Sequence, residues 1–291
     1  MQKIDKIILG SNSFEGVGYL SRAQTRHYLE FFSRKENIIP ILEASFNLGI
    51  KSFMCSNNSN ILSALEGFTN SPDLSILAVI PNAYEYARES TEKGILGTIL
   101  SRSKEIDLYR KVRMGLRALR KIQGIITKDL LTLLTNLMDF EMASFHSHHV
   151  TGVILHGQVT DLALSSNNRE IFDVYQEIVK ERYKVQPILA THNFGTLLPK
   201  LMEWKIKIPI LASFNKKGFI MKPTQEECER LLEKTDYLII AKKVLAGGRL
   251  SPEEALPYLQ NKNIASVVLG VGSLSEAYHT LSVAKSFFLN P

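Results

Sequence analysis

Eight short, almost continuously apolar segments recur from one end of the chain to the other. They are Lys6–Gly10, Lys51–Cys55, Ser75–Ile80, Gly152–His156, Gln186–Thr191, Pro209–Ser213, Tyr237–Lys242 and Ser266–Gly270. A strand that is apolar on both faces belongs in a parallel sheet covered on both sides. Helical patterns fall between these segments, at Ile38–Leu48, Asn60–Phe68, Arg169–Glu181, Thr196–Trp204, Thr224–Lys234, Pro252–Gln260 and Leu274–Phe287. Thr224 with Glu227 and Ser273 with Glu276 have the spacing of capping boxes. Ser251-Pro252 reads as an N-cap followed by proline at the first helical position. Eight strands alternating with helices over 291 residues predict a (β/α)₈ TIM barrel, one domain spanning residues 1–291.

The rhythm breaks between the third and fourth strands, where the connection is longer than one helix requires. Residues 83–150 are expected to form a helical insertion, with a basic helix over 104–121 and a second helix over 128–145. Leu108, Val112, Leu116 and Leu119 give the basic helix one apolar face. Seven basic residues in that helix stand against two acidic ones, so five units of the net +6 charge lie there and the rest of the chain is nearly neutral. A charge this local argues against a nucleic-acid partner. An insertion at this point of a barrel lies over the catalytic face as a lid. It either docks with its charges solvated or covers an anionic ligand. No apolar run approaches the roughly 20 residues that span a bilayer. The N-terminus lacks the long apolar stretch of a signal peptide, and two cysteines make no disulfide framework. These features together point to a cytoplasmic protein with no membrane partner.

In such a barrel the C-terminal ends of the strands converge on one mouth. Those positions hold Asn12, Cys55, Asn57, Asn82, His156, His192, Asn193, Asn215, Lys242 and Lys243. Amides, imidazoles and amines dominate, with no pair of acids, which excludes glycosidase chemistry and suits an anionic or carbonyl ligand. His156, His192 and Lys242 are the catalytic candidates, and Asn12, Asn57 and Asn82 the substrate-binding ones. Strand alternation should turn one of Lys242 and Lys243 inward. A desolvated lysine there forms a Schiff base or binds phosphate. Cys55 with His156 makes a thiol–imidazole pair, weighed against an ordinary buried cysteine. His146, His148 and His149 precede the fourth strand, away from the mouth, so no metal site is expected.

The sharpest local motif is Val267–Ser273, where Gly270 and Gly272 open a turn into a helix that begins at Ser273. Such a turn brings backbone N–H groups and the positive end of a helix to an anion. Gly247, Gly248 and Arg249, after the seventh strand, add a flexible turn and a cation. With Asn193 and Asn215, these residues are the candidates for holding a small phosphorylated or anionic ligand. The alternative is that the glycines only permit tight turns.

Four stretches resemble the aldo-keto reductase superfamily: Gly49–Phe53, Gly152–His156, Thr191-His192-Asn193-Phe194 and Gly270–Glu276. The resemblance implies a (β/α)₈ scaffold, NADP as cofactor, Asn193 at the nicotinamide carboxamide, and a phosphate-binding end at Gly270–Glu276. It also implies a catalytic tetrad of which only the histidine, His156, is present. Met54 and Ser59 stand where the family places its aspartate and tyrosine, and Asn82 follows the third strand where the family has a lysine. Three functions follow as expectations: an NADP-dependent oxidoreductase with a non-standard site, a Schiff-base lyase or aldolase using Lys242 or Lys243, or a non-catalytic binder of a phosphate-bearing ligand.

Overall fold

The computed structural model describes residues 4–82 and 130–289. Eight strands close into a barrel in sequence order: β1 (Ile7–Gly10), β2 (Ser52–Cys55), β3 (Ser75–Ile80), β4 (Val150–Leu155), β5 (Gln186–Ala190), β6 (Ile210–Ser213), β7 (Ile239–Lys242) and β8 (Ser266–Gly270). Every neighbouring pair is parallel, and β8 closes on β1 with Gly10 opposite Gly270. The expected (β/α)₈ TIM barrel is what the chain forms.

Alternation along the strands builds two cores. Ile8, Met54, Leu77, Ile154, Ile188, Leu211, Ile240 and Val268 fill the barrel. Their strand neighbours, among them Leu9, Phe53, Cys55, Ala78, Leu155, Leu189, Ala212 and Leu269, pack outward against the helices. This two-sided burial is why the strand sequences are continuously apolar. It also places Cys55 in the outer core, away from the mouth. Burial pushes its thiol well above the usual range, and the nearby Glu15 adds to that. The Cys55–His156 pairing is therefore not built.

The described helices are α1 (Arg22–Phe31), α2 (Ile39–Asn47), α3 (Ser59–Gly67), α4 (Leu130–Ser144), α5 (Gly157–Ser165), α6 (Arg169–Glu177), α7 (Phe194–Trp204), α8 (Gln225–Lys234), α9 (Pro252–Gln260) and α10 (Leu274–Phe288). The caps read from the sequence form as bonds. Thr224 Oγ1 accepts from the Glu227 N–H, Ser273 Oγ from the Glu276 N–H, and Ser251 and Glu254 make a reciprocal capping box. α6 runs on into a wider π-helical turn, Ile178–Tyr183, which stops at Lys184 in the left-handed conformation (φ 59°). Two helices were not expected from the sequence, α1 and α5. α1 is mostly polar and caps itself with Ser21. α5 starts immediately after β4 with His156 as its N-cap.

Of the insertion expected over 83–150, the basic helix lies outside the described residues, whereas α4 corresponds to the second helix. α4 packs against β3 and delivers Glu141. The carboxylate of Glu141 is fully buried and accepts the Asn82 N–H at both oxygens, 2.9 and 3.0 Å away. Among the described residues, no helix is long and apolar enough to cross a membrane.

Tyr175, on α6, fixes the seam between β4 and β5. Its hydroxyl lies 2.7 Å from the Val153 carbonyl and 2.8 Å from that of Ile188, and it accepts the N–H groups of Ile188 (3.0 Å) and Leu155 (3.2 Å). One phenol thus serves four backbone groups of the two strands that end in His156 and His192.

Candidate functional site

A cavity of about 310 Å³ opens at the C-terminal ends of the strands. Met54, Val79, Ile154, Ala190, Leu211 and Val268 make an apolar floor, the upper layer of the barrel core. Above it the wall is polar. His156, His192, Lys242 and Lys243 line one side, and Ser11, Asn12, Ser13, Glu15, Ser56 and Asn82 line the other.

The two imidazoles are held in complementary states. His192 Nδ1 lies 3.1 Å from Asp161 Oδ2, and Thr191 Oγ1 donates to Asp161 Oδ1 at 2.6 Å. The His192 N–H also donates to Asp161 Oδ2 at 3.1 Å. Burial raises the Asp161 carboxyl, but the bonds from His192 and Thr191 outweigh it and hold the group below its ordinary value. An ionised carboxylate only accepts, so the His192 proton sits on Nδ1 and Nε2 of the neutral ring is the acceptor. Gly157 lets this ring approach α5, because a Cβ there would stand 3.1 Å from His192 Cε1.

His156 is the reverse case. Its Nδ1 accepts the Gln158 N–H at 3.3 Å, so the neutral ring carries its hydrogen on Nε2. Burial lowers its pKa to about 4, with Lys242 and His192 adding to the shift and Asp161 opposing it. The cavity thus holds one imidazole that donates and one that accepts.

Lys242 ends β7 beside them. Among the described residues nothing bonds or ion-pairs its amine. Burial, reinforced by Lys243, lowers its pKa to about 7, against a smaller opposing pull from Asp161. An amine near neutrality is nucleophilic in its uncharged fraction. The expectation that one lysine turns away does not hold, because both line the cavity. Lys243 takes the left-handed conformation (φ 55°), which ends the strand's alternation. Its Nζ donates to Tyr19 Oη at 2.7 Å and lies 4.0 Å from the centre of the ring. Burial lowers its pKa to about 8.

The other predicted residues divide. Asn12 lines the cavity and donates to Tyr19 Oη at 2.8 Å. Asn82 lines it with a buried side-chain nitrogen that meets no partner among the described residues. Asn57 does not line it. Met54 on β2 and Ser56 just after it line the cavity, whereas Cys55 packs in the outer core. Asn215 is fully buried and clasps the Phe219 backbone with both ends of its amide, at 2.8 and 2.9 Å. Arg249 reaches the carbonyls of Ala246 (3.0 Å) and Tyr19 (3.1 Å) and lies over the Phe219 ring. These two residues buttress the loop that carries Tyr19. Asn193 Oδ1 accepts the Thr196 hydroxyl at 3.0 Å.

Gly247, Gly248, Gly270 and Gly272 line the cavity, but the expected phosphate cradle is engaged by its own chain. Glu276 Oε2 accepts the Gly272 N–H at 2.7 Å, and the Ser273 hydroxyl caps the Glu276 N–H at 3.1 Å. The Tyr28 ring lies so close that a Cβ on Gly272 would stand 2.3 Å from its hydroxyl. Sequence reasoning missed Asp161, Ser11, Ser56 and Glu15. Asp161 sits on the unexpected α5, and only the spacing from β4 to a helix could have revealed it.

No protein-family model matches the chain, and no curated protein matches it in sequence. Among solved structures it is similar to PA4992 of Pseudomonas aeruginosa, a protein assigned provisionally to the aldo-keto reductases. That match has a TM-score of 0.52 and 13% identity, over 97% of this chain and 90% of the other. It is also similar to the BexX/CysO complex of Amycolatopsis orientalis, with a TM-score of 0.42 and 12% identity over 98% of this chain and 91% of that one. The likeness to PA4992 is one of fold alone.

Proposed function

We propose that this chain is an enzyme that joins Lys242 to a small carbonyl compound as an imine, in a lyase- or aldolase-type reaction. One observation carries the reading: an amine in the wall of the mouth, without a protein partner among the described residues and brought near neutrality by burial and by Lys243.

The lone pair of the neutral Nζ forms the new C–N bond while the carbonyl π electrons move onto oxygen. The Nε2–H of neutral His156 stabilises the developing oxyanion, as a preorganised donor does. His192 Nε2 takes the proton that the nitrogen sheds and delivers it to oxygen, giving the carbinolamine. The nitrogen lone pair then expels the oxygen as water, with one proton drawn from solvent. Amine, carbonyl and one proton thus become a protonated imine and water. The imine accepts electrons from the adjacent carbon, where His192 is the base for proton removal or for releasing a carbon fragment.

Incubation with a small aldehyde and cyanoborohydride near pH 7, followed by peptide mass mapping, tests this. The reading expects the reduced adduct on Lys242 at low aldehyde. Adducts spread over exposed lysines, with Lys242 unmodified, contradict it.

A nicotinamide-dependent oxidoreductase is the second reading, favoured by the fold shared with PA4992. The candidate cofactor groups do not fit it as they stand. Gly272, Ser273, Asn193, Asn215 and Arg249 all bond within the chain. Titration with NADPH separates the readings, since a phosphate-bearing ligand at this turn has to displace Glu276.

A further inference from the structure

The wall opposite Lys242 identifies the substrate more closely. In a closed ring of eight strands, β3 stands across from β7, with β2 beside it and β1 next beyond β2. Asn82 and Ser56 follow β3 and β2, and Ser11 follows β1. Asn82 is 4% exposed, and its backbone is pinned by the fully buried Glu141. Its side-chain nitrogen is a buried donor with no partner among the described residues. Buried polar groups are almost always satisfied, so an unpaired one lining a cavity is set aside for something that enters it.

The two serines offer the complement. Ser11 Oγ donates to Glu15 Oε1 at 2.5 Å and Ser56 Oγ to Glu15 Oε2 at 2.9 Å. They are 2% and 3% exposed and line the cavity. Each hydroxyl has one hydrogen, already given to Glu15, so each presents only lone pairs to a ligand. The wall therefore holds a donor and two acceptors. An ammonium would leave Asn82 unpaired, because it only donates. A carboxylate or ketone oxygen would satisfy Asn82 but set lone pairs against the serines. A hydroxyl group, with one hydrogen and two lone pairs, accepts from Asn82 and donates to one serine, which is Ser56 because it follows the strand paired with β3.

We propose that the substrate is a hydroxy-carbonyl compound whose hydroxyl is held between the Asn82 amide and the hydroxyl oxygen of Ser56. This rests on the imine reading above. The apolar floor takes the carbon chain between the carbonyl and that hydroxyl, and Asn82 is the specificity-determining residue. Glu141 is a positioning residue, acting through the Asn82 backbone.

The test is competitive trapping. The protein is incubated with equimolar glyceraldehyde and propanal under cyanoborohydride, and the ratio of adducts is read at Lys242 and at exposed lysines such as Lys217. The exposed lysines report the intrinsic reactivity of the two aldehydes. The expected ratio at Lys242 favours glyceraldehyde at least about tenfold over that reference. In Asn82→Ala it falls to the reference while propanal still labels Lys242. Ser56→Ala, checked for folding by thermal melting, lowers the ratio in the same direction. Equal ratios at Lys242 and the exposed lysines in the wild type overturn the inference and leave the imine reading standing, as does a preference unchanged in both variants. No adduct at Lys242 from either aldehyde overturns both.

Discussion

Lys243 lays its ammonium against Tyr19, 2.7 Å from the phenol oxygen and 4.0 Å from the ring centre, and so holds a cation beside the amine of Lys242. Arg249 and the loop clasped by Asn215 support Tyr19 from behind. The chain from Asn215 to Tyr19 holds the Lys243 amine in place, where it adds to burial in lowering the pKa of Lys242.

Lys243→Met removes that cation. Burial remains the larger influence on Lys242, so its pKa rises from about 7 without reaching the value of a free lysine. The alkaline-rising limb of imine formation therefore moves to higher pH. Rates of reductive trapping across a pH series measure it, and an unmoved limb shows that Lys243 has no such role.

Lys242 also carries a cost in stability. A lysine whose folded pKa is about 7 resists its charged form. The cost is full at pH below that value and vanishes above the unfolded pKa of about 10.4. Lys242→Met relieves it. The variant should resist urea better than the wild type at about pH 6, with the gap closing toward about pH 10.

Asp161→Asn tests the fixed imidazole. Without a carboxylate on Nδ1, the proton of His192 is free to sit on Nε2, the wrong position for a base. Imine formation is expected to slow by ~10²–10⁴. The depressed Asp161 carboxyl contributes stability that is complete above its unfolded pKa of about 3.9 and lost as pH falls through the folded value. The variant should therefore show a flatter acid limb in its stability profile.

Tyr175→Phe keeps the ring and deletes the hydroxyl that serves Val153, Leu155 and both backbone groups of Ile188. Buried groups left without partners cost on the order of 2–3 kcal/mol in this setting. Denaturant melts measure it. A loss well under about 0.5 kcal/mol would show that the seam repairs itself.

The barrel was legible because strands buried on both faces leave continuous apolar runs, and helix caps such as Ser251–Glu254 leave a spacing. His156, His192 and Lys242 were legible because each directly follows or ends such a run. The errors have local causes. On β2 the face was misjudged by one residue, so Asn57 stood in for Ser56. At Lys243 a left-handed residue broke the alternation that the sequence implies. Asp161 was invisible because its partnership with His192 spans 31 positions and passes through an unexpected helix. The Gly270–Ser273 turn has the shape of an anion site. That Glu276 would bond back to Gly272 is a matter of side-chain reach, which spacing alone does not disclose.

Imine chemistry at this site requires that the Lys242 amine lose its proton near neutral pH. Residue-resolved acetylation of the intact protein across a pH series reads it directly, with peptide mapping to follow Lys242 and exposed Lys217 together. Lys242 should titrate with a midpoint near 7, well below the ordinary lysine value of about 10.4. A Lys242 midpoint at that ordinary value would contradict the proposed chemistry.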